Sequence, residues 1–222
     1  MLHLLDSTNF HFPLLTLHYS GKCYNNRHLC HMGKRGSWMD GHKRQREQSA
    51  KMIEAALFGL MREKDLAQIT VSEIVRRADV ARRTFYRLYG GKEDVIHCHF
   101  DRLCQEYRDT YPVLESYDLG RIAQDYFGFW YQHREFLLLM ERRGCWGMLY
   151  DGISRVSGDI VRNRMDLEEA AGADVELFAC YSAGGFLMLL YRWIGEGMQE
   201  GPERYAEKVS RSVARFIENV RG

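Results

Sequence analysis

The sequence predicts an all-α protein: a small N-terminal domain of three short helices, then a larger helical body. Three observations carry this. Only 3 prolines occur in 222 residues, beside abundant Leu, Ala, Glu and Arg, a composition that favours helix over sheet. From residue 43 onward apolar residues return at three- and four-residue spacing, the period of a helix face. No stretch alternates apolar and polar residues long enough to read as a strand.

Composition narrows the function classes. An apolar fraction of 45% with 27% charge excludes wholesale disorder and low complexity. At roughly 150 residues per domain the length suggests one or two domains. No apolar run approaches the roughly 18 residues a membrane span needs. Asp6 and His11 interrupt the first apolar stretch, and no basic region precedes it, so no secretory signal is expected. Six cysteines are too sparse for a disulfide scaffold. The expectation is a reduced, cytoplasmic protein with no membrane partner.

Net charge is +1, but it is unevenly spread. Residues 43–97 hold twelve basic and eight acidic side chains, whereas residues 98–222 hold fifteen and twenty. A basic block on an acidic remainder suits a polyanion-binding head on a separate body.

Residues 1–42 hold six of the nine histidines and show no sustained period. They read as a poorly ordered leader. Met32 and Met39 offer alternative starts, the leader then being an annotation artefact; a genuine extension is the other reading. From Lys43 the pattern is helical, with Ile53, Ala56, Leu57, Leu60 and Met61 as one stripe. Gln68–Thr70 breaks it. Thr70-Val-Ser-Glu73 has the spacing of a capping box, in which hydroxyl and carboxylate exchange hydrogen bonds with each other's backbone N–H. A short helix follows, with Ile74, Val75 and Ala78 inward. Asp79-Val80 makes a turn, and Ala81–Leu88 forms a second short helix, ended by Gly90-Gly91. Longer helices are expected over 92–110, 119–132, 134–143, 146–165, 173–196 and 203–220, with Pro112 and Pro202 at boundaries. The domains so read are 43–95 and 96–222.

Residues 70–89 carry the chemistry. A capped short helix, a tight turn and a second short helix make a helix-turn-helix layout. On the second helix Phe85 and Leu88 can face a core with Val80. Arg82, Arg83, Thr84, Tyr86 and Arg87 are left outside. Guanidinium forks, a hydroxyl and a phenol suit phosphate oxygens and base edges. A merely solvated face would normally interleave acids at i,i+4 spacing, and none is present. Arg76 and Arg77 extend the basic patch from the preceding helix.

From about Gln45 to Phe100 the chain resembles the TetR/AcrR family of bacterial transcriptional regulators. The resemblance rests on the stretch from Ile69 to Val95, with Thr84-Phe85-Tyr86, the aromatic Tyr89 and Lys92-Glu93-Asp94 at the family's spacing. It implies that Arg82, Arg83 and Thr84 read base edges. It implies that Tyr86 and Lys92 clamp phosphates, and that Val71 and Ser72 begin the helix that crosses the DNA backbone. Lys43, Arg44 and Arg46 would form an arm along the DNA or into the minor groove. Asp79 stands where a glycine is usual, and Asp tolerates the left-handed conformation better than most residues. Tyr89 replaces the commoner phenylalanine.

In that family the remaining helices sense an effector and dimerise. The sequence allows both. Residues 173–196 are apolar nearly all round, so several faces must be buried. Ala183-Gly184-Gly185 weakens that helix, which close approach of a second helix would offset. Tyr181, Gly184, Gly185 and Met188, with Val209, Val213, Phe216 and Ile217 of the last helix, are the expected dimer interface, a four-helix bundle across a two-fold axis. Burial within the monomer alone is the other reading. The segment Ser182–Gly197 is more weakly similar to the regulators of dihydroxyacetone kinase operons, some of which would sense a protein instead of a metabolite. Effector-pocket candidates are Phe100, Tyr107, Phe127, Trp130 and Tyr131, with Met140, Trp146, Met148 and Tyr150. Taken singly each reads as core; together they describe an apolar, aromatic-lined cavity.

Other signals are weaker. Cys23, His28, Cys30 and His31 are zinc-ligand types at irregular spacing, and no metal or cofactor is expected. His97, Cys98 and His99 point in different directions on one helix. Cys98, Cys104, Cys145 and Cys180 read as structural thiols. No phosphate-binding glycine loop, nucleophile elbow or His-Glu-x-x-His occurs, so an enzyme is not expected. The expectation is therefore a homodimeric repressor on a pseudo-palindromic double-stranded operator, released by a small-molecule effector. The alternative is a body that docks a protein partner.

Overall fold

The computed structural model describes residues 39–111, 118–150 and 173–221, apart from the side chains at 39–42, 173–176, 178–180, 217, 220 and 221. The described residues are helical and contain no strand. The head comprises α1 (Met39–Glu63), a 3-10 turn (Leu66–Gln68), α2 (Val71–Arg77) and α3 (Arg82–Leu88). The body comprises α4 (Lys92–Thr110), α5 (Leu119–Gln132), α6 (Arg134–Arg142), α7 (described over 146–150), α8 (Ala173–Gly195) and α9 (Pro202–Arg221). The leader over 1–38, the cysteines and histidines in it, and the part over 151–165 of the helix expected over 146–165 lie outside the described residues.

Local chemistry sets each boundary. The α1 stripe of Ile53, Ala56, Leu57, Leu60 and Met61 is buried throughout. The capping box forms: Thr70 Oγ1 accepts from the Glu73 N–H at 3.3 Å, and the Thr70 N–H donates to Glu73 Oε2 at 3.0 Å. Lys64, beyond the end of α1, adds an ion pair to Glu73 at 2.5 Å. Asp79 makes the turn with φ 51, the left-handed conformation anticipated for a residue standing in for glycine. Phe85 and Leu88 bury the inner face of α3. That helix ends on Tyr89 in extended backbone. The glycines after it serve another purpose: the Gly90 N–H donates to Asp94 Oδ2 at 2.8 Å, and a Cβ on Gly90 would lie 2.7 Å from that oxygen. Pro202 opens α9 at the one helical position where its missing N–H costs nothing.

A single hydrophobic core runs from Ile53 in α1 to Val209 in α9. Within it α5 lies along α9, α6 meets α8, and α1 meets α2, α3 and α4. One contact ties head to body covalently distant in sequence. Arg143, just past α6, caps the C-terminal carbonyls of α1: Nε donates to Met61 O at 2.5 Å and a terminal nitrogen to Arg62 O at 2.8 Å. Its other terminal nitrogen reaches Asp65 Oδ1 at 3.0 Å. The last carbonyls of a helix lack intrahelical partners, and a cation there also suits the helix dipole.

Arg143→Ala is expected to lower stability by about 1–3 kcal/mol, the cost of leaving such acceptors unmet. Arg143→Lys should recover only part, because one ammonium cannot reproduce the planar fork. Urea unfolding of the two variants checks this; an alanine variant as stable as the parent would remove Arg143 from the helix cap.

Candidate nucleic-acid interface

The outer face of α3 is built on a fixed inner face. With Phe85 and Leu88 held in the core, Arg82, Arg83, Tyr86 and Arg87 are exposed and Thr84 is half-buried. Arg82 is already organised: it donates to Ser72 Oγ at 3.2 Å and to the Tyr86 hydroxyl at 3.3 Å. Its guanidinium also lies 5.6 Å from the centre of the Tyr86 ring. These contacts lock Ser72 at the start of α2 to the first two turns of α3, so the two helices offer one continuous polar surface. Val71 beside Ser72 is half-buried. Arg76, Arg83 and Arg87 are exposed, and no ion-pair partner for them occurs among the described residues. Exposed guanidinium groups without local acids are the groups that phosphates and guanine edges recruit.

Two expectations are corrected, and a third residue has contacts the sequence did not reveal. Arg77 does not extend the patch: it turns back onto α1, where it pairs with Glu63 at 2.6 Å and lies flat against Gly59. Lys43, Arg44 and Arg46 are not an extended arm, because α1 continues back to Met39 and they ride on its first turns. Arg44 is exposed, Lys43 and Arg46 half-buried, and the enclosed Arg46 Nε meets no hydrogen-bond partner among the described residues. Lys92, placed at a phosphate by the resemblance, spends its ammonium internally. Its Nζ donates to the carbonyl oxygens of Leu66, Ala67 and Ile69 at 2.6, 3.3 and 2.8 Å.

A buried polar cluster joins this surface to the body, and nothing in the sequence pointed to it. Glu54, next to Ile53 in the α1 stripe, is 7% exposed. Its carboxylate accepts from the Tyr89 hydroxyl at 3.1 Å, meets His99 Nδ1 at 3.1 Å and accepts from Arg102 at 2.5 Å. Burial pushes the Glu54 carboxyl up, but the His99 hydrogen bond and the charge and hydrogen bond of Arg102 outweigh it and hold the carboxyl below its ordinary value. The same burial, with Glu54 beside it, raises the Tyr89 phenol and keeps it a donor. His99 also packs against Phe58 of α1 and Phe136 of α6.

The pocket candidates form a run of ring contacts. Phe100 stacks on Trp130 at 5.6 Å, and Tyr107 meets Phe129 edge-on at 5.1 Å. Phe127 meets Trp193 and Tyr205 edge-on, and Tyr131 stacks on Trp193. Met140 is buried, Trp146 and Met148 are half-buried, and Tyr150 is exposed. On the expected dimer face Tyr181 is 81% and Phe216 69% exposed, and Leu177, Met188 and Val213 are also exposed. Gly184 and Gly185 are exposed, and a Cβ on either would meet nothing within 4 Å. Val209 is the correction here: it is buried and faces the chain's own core. The Ile217 side chain and Cys180 lie outside the described side chains.

A capped helix, a left-handed turn and a second helix with a basic outer face define the class: a helix-turn-helix head on a helical body. Residues 53–97 match the family described as bacterial regulatory proteins, tetR family. A curated relative, the uncharacterized HTH-type transcriptional regulator YxbF of Bacillus subtilis (strain 168), is 23% identical over 170 residues, 73% of this chain. The chain matches only 44% of that relative's length. Among solved structures, the dihydroxyacetone kinase operon activator DhaS is 16% identical with a TM-score of 0.55, over 77% of this chain and 96% of that one. The likeness extends through the body as well as the head, and at that identity it establishes the fold. No helix among the described residues is long and apolar enough to cross a membrane.

The Glu54 cluster generates a pH prediction. A carboxyl held below its ordinary value of 4.5 contributes stability that is complete above that value and is lost as pH falls from there through its lowered value in the folded chain. Glu54→Gln should cost about 1–2 kcal/mol at neutral pH, Arg102 being half exposed. The loss should shrink on acidification below the carboxylate range. Parallel urea titrations of parent and variant at neutral and acid pH read it; a pH-independent difference would contradict the assignment.

Proposed function

We propose that the protein is a sequence-specific DNA-binding transcription regulator. It acts as a homodimeric repressor whose body, residues 96–222, releases the head, residues 43–95, from an operator when an effector binds. The observation that carries this is the outer face of α3, where Arg82 is tied to Ser72 and Tyr86 while Arg83 and Arg87 are exposed with no ion-pair partner among the described residues. A rigid helix whose exposed groups are guanidinium forks is a reader of base edges and phosphates. Arg44 and the half-buried Lys43, one turn into α1, would add flanking phosphate contacts.

The body supports the dimer. Leu177, Tyr181, Met188, Val213 and Phe216 are large apolar side chains left in water on α8 and α9, and such a face marks an interaction site. The bare glycines at its middle let a second backbone approach closely. A two-fold mate covering this face would present two α3 helices to successive turns of DNA. The mechanism needs only an effector that binds one arrangement of the heads better than the other. A second reading, a body that docks a protein, is favoured by one observation: Phe100, Tyr107, Phe127 and Trp130 are buried against other rings. The site of action would be the cytoplasm.

Selection from a pool of random duplexes by the full chain is expected to enrich an inverted repeat. Its half-sites should lie about 34–36 Å apart, one DNA turn or slightly more. On the selected duplex Arg83→Ala should cost about 1–3 kcal/mol and relax base preference at one position per half-site. No enriched sequence, or equal loss on selected and random duplex, would remove base readout from α3. Tyr181→Glu with Phe216→Glu should convert the dimer to monomer in sedimentation. Release of the duplex by the dialysable fraction of a cell extract supports a small-molecule effector, and release only by the retained fraction supports a protein.

A further inference from the structure

We propose that Lys92 is a positioning residue that holds the start of α2, and not a contact to DNA phosphate. The inference rests on the DNA-binding reading only for its functional consequence. The chain from Leu60 to Thr70 turns a corner between α1 and α2, and its carbonyls have few backbone partners there. Gln68 N–H donates to Asp65 O and Ile69 N–H to Leu66 O. Ala67 O and Ile69 O converge with Leu66 O on one point, and Lys92 Nζ occupies it, 26 residues away in sequence from Leu66.

An ammonium has three donors and no acceptor. All three of Lys92's donors find a carbonyl, so none remains for a phosphate unless the corner is released. Position argues the same way. Lys92 is the first residue of α4 after its cap Gly91, where the helix dipole opposes a cation. The convergent carbonyl dipoles supply the negative potential that offsets this. Ile69 O is the last carbonyl before Thr70, the cap of α2. Lys92 therefore sets where α2 begins relative to α4, and with it Ser72 and its partner Arg82.

Two readouts on the full chain test this, with Lys92→Gln as the main variant and Lys92→Arg as a milder one should the first fail to fold. The first is hydrogen exchange of the Gln68 and Ile69 amides, which needs no DNA. Loss of the ammonium should speed exchange about tenfold or more, because the turn opens locally. The second is binding to a random duplex across a salt series. A lost phosphate contact lowers the slope of log affinity against log salt by about 0.9. A positioning residue leaves the slope unchanged while affinity falls by a similar factor at every salt. Faster exchange with an unchanged slope supports the proposal. A slope lower by about 0.9, or unaltered exchange of the two amides, overturns it. If the parent chain fails to bind duplex at all, the DNA-binding reading falls, and the exchange measurement alone decides whether Lys92 holds the corner.

Discussion

Backbone carbonyls at the corner between α1 and α2 impose the constraint on which the head depends. A helix that ends and a chain that reverses leave acceptors that neither helix can satisfy. Two distant cations meet them. Arg143, 82 residues from Met61, serves the carbonyls of Met61 and Arg62. Lys92 serves those of Leu66, Ala67 and Ile69. Lys64 meanwhile grips Glu73 inside the capping box. The outer surface of α2 and α3 inherits this rigidity, since Ser72 on α2 holds Arg82 on α3. Both cations come from the body, Lys92 from the first turn of α4 and Arg143 from just past α6, so any displacement of the segment after α6 would be felt where α1 ends.

Glu54 is the second point of attachment. A carboxylate carried into an apolar stripe is tolerable only where donors surround it, and Tyr89, His99 and Arg102 do so. All three belong to the α3–α4 junction or to α4, so the charge fixes α4 against α1 both along and around its axis. From there contacts pass through aromatic rings: His99 to Phe136, Phe136 to Phe100, Phe100 to Trp130. Head and body thus share one packed core, crossed by polar attachments at Arg143, Lys92 and Glu54.

Much of this was legible in the sequence because its determinants are local. Thr70 and Glu73 are three residues apart and declare a helix start. Asp79 sits where the turn demands a left-handed residue. The pairing of Phe85 with Leu88 assigns an inside and an outside to α3. The helices over 92–110 and 119–132 follow from apolar period and flanking breakers, and match α4 and α5 residue for residue. What could not be read depends on partners remote in the chain. Arg77 looked like Arg76, but Glu63, one helix away, captures it. The carbonyl partners of Lys92 were equally hidden, because spacing cannot reveal carbonyls gathering 26 residues earlier. Val209 fell in the stripe of α9 with Val213 and Phe216, yet α5 lies against that end of the helix and turns it inward. Glu54 gave no signal because its three partners lie 35 to 48 residues away.

The central claim is that the α3 face recognises a particular DNA sequence. The most direct test compares affinity for the DNA upstream of the protein's own coding region with affinity for random duplex, across a salt series. Binding to the upstream fragment about a thousandfold tighter or more, with a steep salt slope on both, is the predicted result. Absence of salt-dependent binding to either duplex would contradict it, because exposed arginines that neutralise phosphates must release counterions.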